Sequence, residues 1–126
     1  MPVVAAALTR ADGRCLLQQR PVHKRHGGLW EFPGGKVEVT ENPREALCRE
    51  LAEELAVAVL PEHCEPLLLA DEAGEGPVVL MLYRIAVWQG VPESQEGCEL
   101  RWIRQDEATE MPLAPMDRDF LSRISG

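Results

Sequence analysis

The chain has 126 residues, of which 27% are charged and 45% apolar, and carries a formal net charge of −8. That length suits a single domain, residues 1–126, and is too short for two. The acidic balance excludes general nucleic-acid binding, which wants a basic face, and no stretch is long and apolar enough to span a membrane.

An anionic substrate would be repelled as well, unless a divalent cation first neutralised the acidic residues. The four cysteines, Cys15, Cys48, Cys64 and Cys98, form neither a CxxC nor a Cys/His cluster. They fit free thiols in a reducing cytosol better than zinc ligands. No basic segment precedes the apolar residues 3–8, so a cytoplasmic location is expected.

Residues 3–8 and 15–19 flank the turn signal Ala11-Asp12-Gly13 and predict a hairpin. A polar, basic loop from His23 to Gly28 precedes residues 29–32. Pro33-Gly34-Gly35 reads as a tight turn whose glycines can take φ > 0 and let backbone approach a ligand. Asn42-Pro43-Arg44-Glu45 predicts a helix start, with Asn as N-cap, Pro at the first position and Glu closing a capping box. Leu47, Leu51 and Leu55, extended by Cys48, form a stripe that should pack on a sheet. Residues 57–60 and 67–70 are short strand candidates, and Gly74-Glu75-Gly76 is a turn. The long apolar run 78–88 suggests a central strand buried on both faces. Residues 100–103 predict another strand. Pro112 and Pro115 then break the chain before a last helix, residues 117–124. This order implies the α/β (α+β) class, with a mixed β-sheet sandwiched between helices.

Glu50, Glu53 and Glu54 fall at i, i+3 and i+4 of the capped helix. At about 100° per residue they share roughly one third of its circumference. Like charges at that spacing cost a few tenths of a kcal/mol per pair. Such a cluster is either a solvated helix face or a cation site. Oxygen ligands in this number suit Mg²⁺, with Mn²⁺ able to substitute, rather than zinc. A glycine turn feeding an acid-bearing helix favours a site for metal-bound phosphates.

Gly35, five residues, Glu41, seven residues and then Arg49-Glu50-Leu51-Ala52-Glu53-Glu54 resemble the Nudix box. The run Leu29-Trp30-Glu31-Phe32-Pro33-Gly34-Gly35-Lys36-Val37-Glu38, in a short chain, resembles the MutT-like branch. One departure stands out. The family places glycine where this chain has Ala56, and that glycine ends the helix in a left-handed turn, which alanine adopts at a cost of about 1 kcal/mol.

The resemblance implies the Nudix fold and a Mg²⁺-dependent nucleoside triphosphate pyrophosphohydrolase that releases a monophosphate and pyrophosphate through water attack on the β-phosphorus. Oxidised nucleotides such as 8-oxo-dGTP are the first substrate expectation, as nucleotide-pool sanitation serving DNA replication and repair. CTP and 5-substituted cytidine triphosphates are the second. A non-catalytic nucleotide-binding module would need no box acids, and here they are all retained. An enzyme for dinucleotides or nucleotide sugars would be expected to carry a further recognition segment, against which the short chain speaks. The protein is expected to act as a monomer or homodimer, with no nucleic-acid or membrane partner.

Residue by residue, the resemblance implies that Glu53 and Glu54 are metal ligands, with the carbonyl of Gly34 or Gly35 as a third. Glu50 either holds a second metal or acts as general base. Arg49 orients Glu50, and an i, i+4 pair with Glu53 can hold at the same time. Glu41 and Glu38 read as loop stabilisers. Glu96 resembles a further acid on a mobile loop near the metals, or else is plain loop surface. Arg20 matches a substrate-binding arginine, while Arg25, with Lys24 and His26, forms a small basic patch. Glu31, Phe32, Pro33 and Gly34 are further substrate-site candidates. Asp117 matches the residue that reads the base, or else serves as a helix N-cap. Trp30, Phe32 and Tyr83 could flank a base, although core packing is the default for each.

Overall fold

The structure, a computed structural model, describes residues 1–24, 26–72 and 77–124. Among the described residues seven strands form two sheets. Strands β1 (Pro2–Leu8), β4 (Gly34–Lys36), β5 (Glu65–Glu72) and β6 (Val78–Ile85) make a mixed sheet in the order β4-β1-β6-β5. In it β1 runs parallel to β6 and antiparallel to β4. Strands β2 (Cys15–Gln19), β3 (Trp30–Glu31) and β7 (Leu100–Ile103) form an antiparallel sheet in the order β3-β2-β7. The helices are α1 (Pro43–Leu55), the short α2 (Gln105–Ala108) and α3 (Pro115–Ile124).

The expected hairpin between β1 and β2 does not form. Both edges of β1 are taken by β4 and β6, so β2 pairs elsewhere. Among the described residues a Thr9–Cys15 bridge and the Arg10 N–H to Arg14 carbonyl bond join the two at their turn, where Gly13 has φ 86°. As the central strand, β1 alternates between two cores. Val4, Ala6 and Leu8 pack with the leucines of α1, whereas Ala5 and Ala7 pack with Phe120 and Leu121 of α3.

Three further boundaries differ from expectation. Residues 57–60 are not a strand, and Ala58 makes only an isolated bridge to Gln89. β6 ends at Ile85, because the apolar residues beyond it serve another purpose: Trp88 leaves the sheet to stack on Trp102 at 5.9 Å. α3 begins at Pro115, which puts Asp117 inside the first turn instead of ahead of it. The turn expected at residues 74–76 lies outside the described residues.

α1 is where local chemistry fixes the geometry of a site. Asn42 Oδ1 accepts from the Glu45 N–H and Glu45 Oε1 accepts from the Asn42 N–H, both at 2.9 Å, with Pro43 at the first position. Ala46, Leu47, Leu51 and Leu55 are completely buried, which sets the helix's rotation against the sheet. The helix stops at Leu55 because Ala56 adopts the left-handed conformation (φ 56°, ψ 33°) and returns its N–H to the Ala52 carbonyl at 3.2 Å. The terminus therefore survives the loss of the family glycine, at the cost of a Cβ in a crowded region of backbone space. Replacing Ala56 by Gly should raise stability by about 1 kcal/mol, read as a higher denaturant midpoint at unchanged slope; an unchanged or lower midpoint would refute a strained cap.

Candidate active site

The carboxylates of α1 do not share one environment. Arg49 stands among them and binds Glu41 (2.7 and 2.9 Å), Glu50 Oε1 (2.8 Å), Glu53 Oε2 (3.3 Å) and the Lys36 carbonyl (3.0 Å). Arg49 thus bonds Glu50 and, one turn on, Glu53 at the same time. Its own pKa is raised, first by the bonds it donates to Glu41. Glu41 acts as a loop stabiliser, accepting also from the Glu38 N–H at 3.0 Å. Glu53 is mostly exposed, with its carboxylate toward Arg49.

Glu54 differs from the others. Its Oε2 is buried and has no hydrogen-bond partner among the described residues. Burial pushes its carboxyl up to about 8, and the charge of Glu50, a hydrogen bond with Glu50, and the charges of Glu96 and Glu31 push the same way. An orphaned carboxylate oxygen beside a second carboxylate is an unfavourable pairing that a cation relieves. Among the described residues no three His, Cys, Asp or Glu side chains converge as a ready-made ligand set. The donors at hand are all oxygens, from Glu50, Glu54, Glu96 and the backbone of Gly34 and Gly35. That chemistry fits a hard divalent cation.

Gly34 and Gly35 belong to strand β4 and not to a left-handed turn, since neither has positive φ. Their lack of a side chain is needed for another reason. A Cβ on Gly34 would strike the Val4 carbonyl of β1, and one on Gly35 would strike the Glu50 carboxylate. The backbone thus approaches an acid of α1 instead of curling into a turn.

Beside these acids opens a cavity of about 470 Å³. Gly34, Gly35, Glu54 and Glu96 line it, as do Arg20, Glu31, Phe32 and Asp117. Arg20 NH1 binds Glu31 Oε1 at 2.7 Å, and both side chains are largely shielded. Burial raises the Glu31 carboxyl, against the lowering effect of Arg20. Lys24 and His26 reach the same cavity, while Arg25 lies outside the described residues. Pro33 does not line it, and its carbonyl accepts from the Ala6 N–H. Trp30 and Tyr83 are core residues under Arg101 and Arg44, respectively.

Asp117 is 6% exposed, and its Oδ1 accepts from the Phe32 N–H at 2.9 Å, 85 residues away in sequence. Because α3 starts at Pro115, Asp117 lies within its first turn and is not its N-cap. Burial lifts its carboxyl to about 7. Sequence reasoning missed the apolar wall of the cavity, including Val3, Ala5, Leu80 and Met116, and also Gln18. The i, i+2 spacing of Val3 and Ala5 on a strand was the available signal.

A model described as the NUDIX domain matches residues 1–124. The chain is 40% identical to the CTP pyrophosphohydrolase of Escherichia coli (strain K12), over 94% of its own length and 87% of that protein's. It is 31% identical to the 8-oxo-dGTP diphosphatase of Haemophilus influenzae, over 96% and 89%. The crystal structure of a MutT NUDIX hydrolase from Burkholderia pseudomallei superposes with a TM-score of 0.85 at 29% identity, covering 98% and 96%. The chain belongs to the Nudix family and is a hydrolase of its MutT-like branch.

The Asp117 carboxyl has a consequence for stability. In the unfolded chain an aspartate titrates near 4, whereas here it titrates at about 7. Between these values the folded chain holds the extra proton, so this residue makes stability fall as pH rises from about 4 to 7. Asp117→Asn should remove its share of that slope, at most about 1.4 kcal/mol per pH unit. Urea midpoints measured from pH 4.5 to 7.5 check this, and identical slopes in both proteins would disprove it.

Proposed function

We propose that the chain is a magnesium-dependent nucleoside triphosphate diphosphatase, with Mn²⁺ able to substitute, that converts its substrate and one water to the nucleoside monophosphate and pyrophosphate. One observation carries this reading: a single cavity is lined both by carboxylates, Glu54 of α1 and Glu96, and by the buried Asp117 beside Phe32 and an apolar wall. That is the layout a polyphosphate joined to a base requires. Glu54, Glu96 and the carbonyl of Gly34 or Gly35 would hold the cation, with Glu53 at the exposed edge. When bound, the cation neutralises phosphate charge and polarises the reacting oxygens.

The chain's own residues do the rest. Arg49 keeps the Glu50 carboxylate in one orientation. Glu50 then either accepts the proton of the attacking water or completes the cation's shell. Arg20, already partnered by Glu31, offers its guanidinium to substrate phosphate. Phe32 and the apolar wall exclude water around the base. Asp117 accepts from the base's amino group with the oxygen not engaged by Phe32.

An acceptor there suits a base with an amino donor, and a guanine-like base adds an N1–H. Oxidised guanine nucleotides such as 8-oxo-dGTP are therefore our first choice of substrate, consistent with the diphosphatase named among the relatives. Cytosine nucleotides are the second, favoured by the 40% identity to a CTP pyrophosphohydrolase. The working form is one domain, monomeric or homodimeric, acting on free nucleotides in the cytoplasm.

Two experiments test this. Glu50→Gln should stay folded and lose ~10³-fold in kcat. Retained Mn²⁺ affinity in that variant marks a general base, weakened affinity marks a ligand, and near-wild-type turnover removes Glu50 from the reaction. A panel of ordinary and oxidised nucleotides, with kcat/KM for each, should show pyrophosphate as product, dependence on added Mg²⁺, and a preference that Asp117→Ala erodes. Turnover undiminished by EDTA would overturn the proposal.

A further inference from the structure

The loop between β6 and β7, residues 86–99, is fastened to the end of α1. The Gln95 N–H donates to the Glu54 carbonyl at 2.8 Å and the Glu93 N–H to the Leu55 carbonyl at 3.0 Å. In a continuing helix those carbonyls would accept from residues 58 and 59. They are open because Ala56 turns left-handed, and Ala58 instead exchanges both bonds with Gln89, at 3.0 and 2.9 Å. Gly90, at φ 98°, lets the loop pass close by, since a Cβ there would come within 3.2 Å of the Ala56 carbonyl. Further along, the Ser94 hydroxyl accepts from the Cys98 N–H at 2.9 Å, and the Glu99 carbonyl accepts from the Gln19 N–H of β2 at 3.0 Å. Glu96 sits between these two moorings and lines the same cavity as Glu54.

Glu54 therefore faces two ways. Its side chain enters the acid cluster, and its carbonyl anchors the residue next to Glu96. We infer that the main-chain bond from Gln95 to Glu54 is a positioning element that presents Glu96 to the cation site before any ligand arrives, and that the early end of α1 exists to expose this anchor. A loop otherwise free would lose conformational entropy on delivering its carboxylate. A moored one has already lost most of it, so only the Glu96 side chain is left to order when the cation arrives. The inference rests on the reading of Glu96 as a cation ligand proposed above.

The test compares Gln95→Pro, which deletes the N–H, with Gln95→Ala, which keeps it, and with Glu96→Gln. Mn²⁺ binding to the nucleotide-free protein is measured by electron paramagnetic resonance, beside the Mg²⁺ dependence of turnover. Removing support of this kind typically weakens metal binding 10- to 100-fold. Gln95→Pro and Glu96→Gln should each raise the Mn²⁺ dissociation constant at least tenfold, the double variant should lose no more than either alone, and Gln95→Ala should stay within about twofold of the parent. Wild-type affinity in Glu96→Gln would sink the ligand reading itself. Weakened Glu96→Gln beside unaltered Gln95→Pro, or equal losses in Gln95→Pro and Gln95→Ala, would sink the anchor alone. Should Gln95→Pro fail to fold, amide exchange on the unaltered protein decides: protected Glu93 and Gln95 amides support the mooring, and exchange at the rate of an open loop overturns it.

Discussion

Everything at the candidate site answers to one electrostatic constraint, the crowding of carboxylates on the second half of α1. Arg49 relieves part of it by bonding Glu41, Glu50 and Glu53 at once. It does not reach Glu54, whose buried oxygen is left without a partner among the described residues. A fold that needed only stability would have no use for such a residue, because a carboxyl oxygen buried without a partner is costly. The cost is tolerable if the group awaits a cation, and the neighbouring donors are of the kind a hard cation prefers.

The scaffold enforces this crowding from three sides. The buried leucine stripe fixes the rotation of α1, so the acids cannot swing to solvent without exposing Leu47, Leu51 and Leu55. From β4, Gly35 admits the Glu50 carboxylate where any side chain would collide with it. From the β6–β7 connection, Glu96 enters beside Glu54. Asp117, which lines the same cavity, is held by the Phe32 backbone, and consecutive residues lead from Phe32 to Gly34 and Gly35 in β4.

Local signals were legible in the sequence wherever one residue type does one physical job. The Asn42 cap, the Pro43 start, the leucine stripe and the span of β7 all follow from propensity and period, and they stand where expected. Signals that depend on partners far along the chain were not legible. Nothing in the residues around Asp12 and Gly13 says that β1 will be flanked by β4 and β6 and leave β2 to another sheet. The glycines before the box suggested a turn, because sequence shows their freedom and hides the close neighbours that leave no room for a Cβ, the Val4 carbonyl at Gly34 and the Glu50 carboxylate at Gly35. Likewise the choice between base reader and helix cap at Asp117 stayed open until the start of α3 and the bond to Phe32, 85 residues away, were in view.

Anomalous diffraction from crystals soaked in Mn²⁺ together with a non-hydrolysable nucleoside triphosphate analogue tests the central claim most directly. A peak coordinated by the orphaned oxygen of Glu54, with Glu50 beside it and the analogue's phosphates on its far side, is the predicted result. An analogue seated in the cavity with no peak at Glu54, or a peak only at the exposed carboxylates of Glu38 and Glu53, would contradict it.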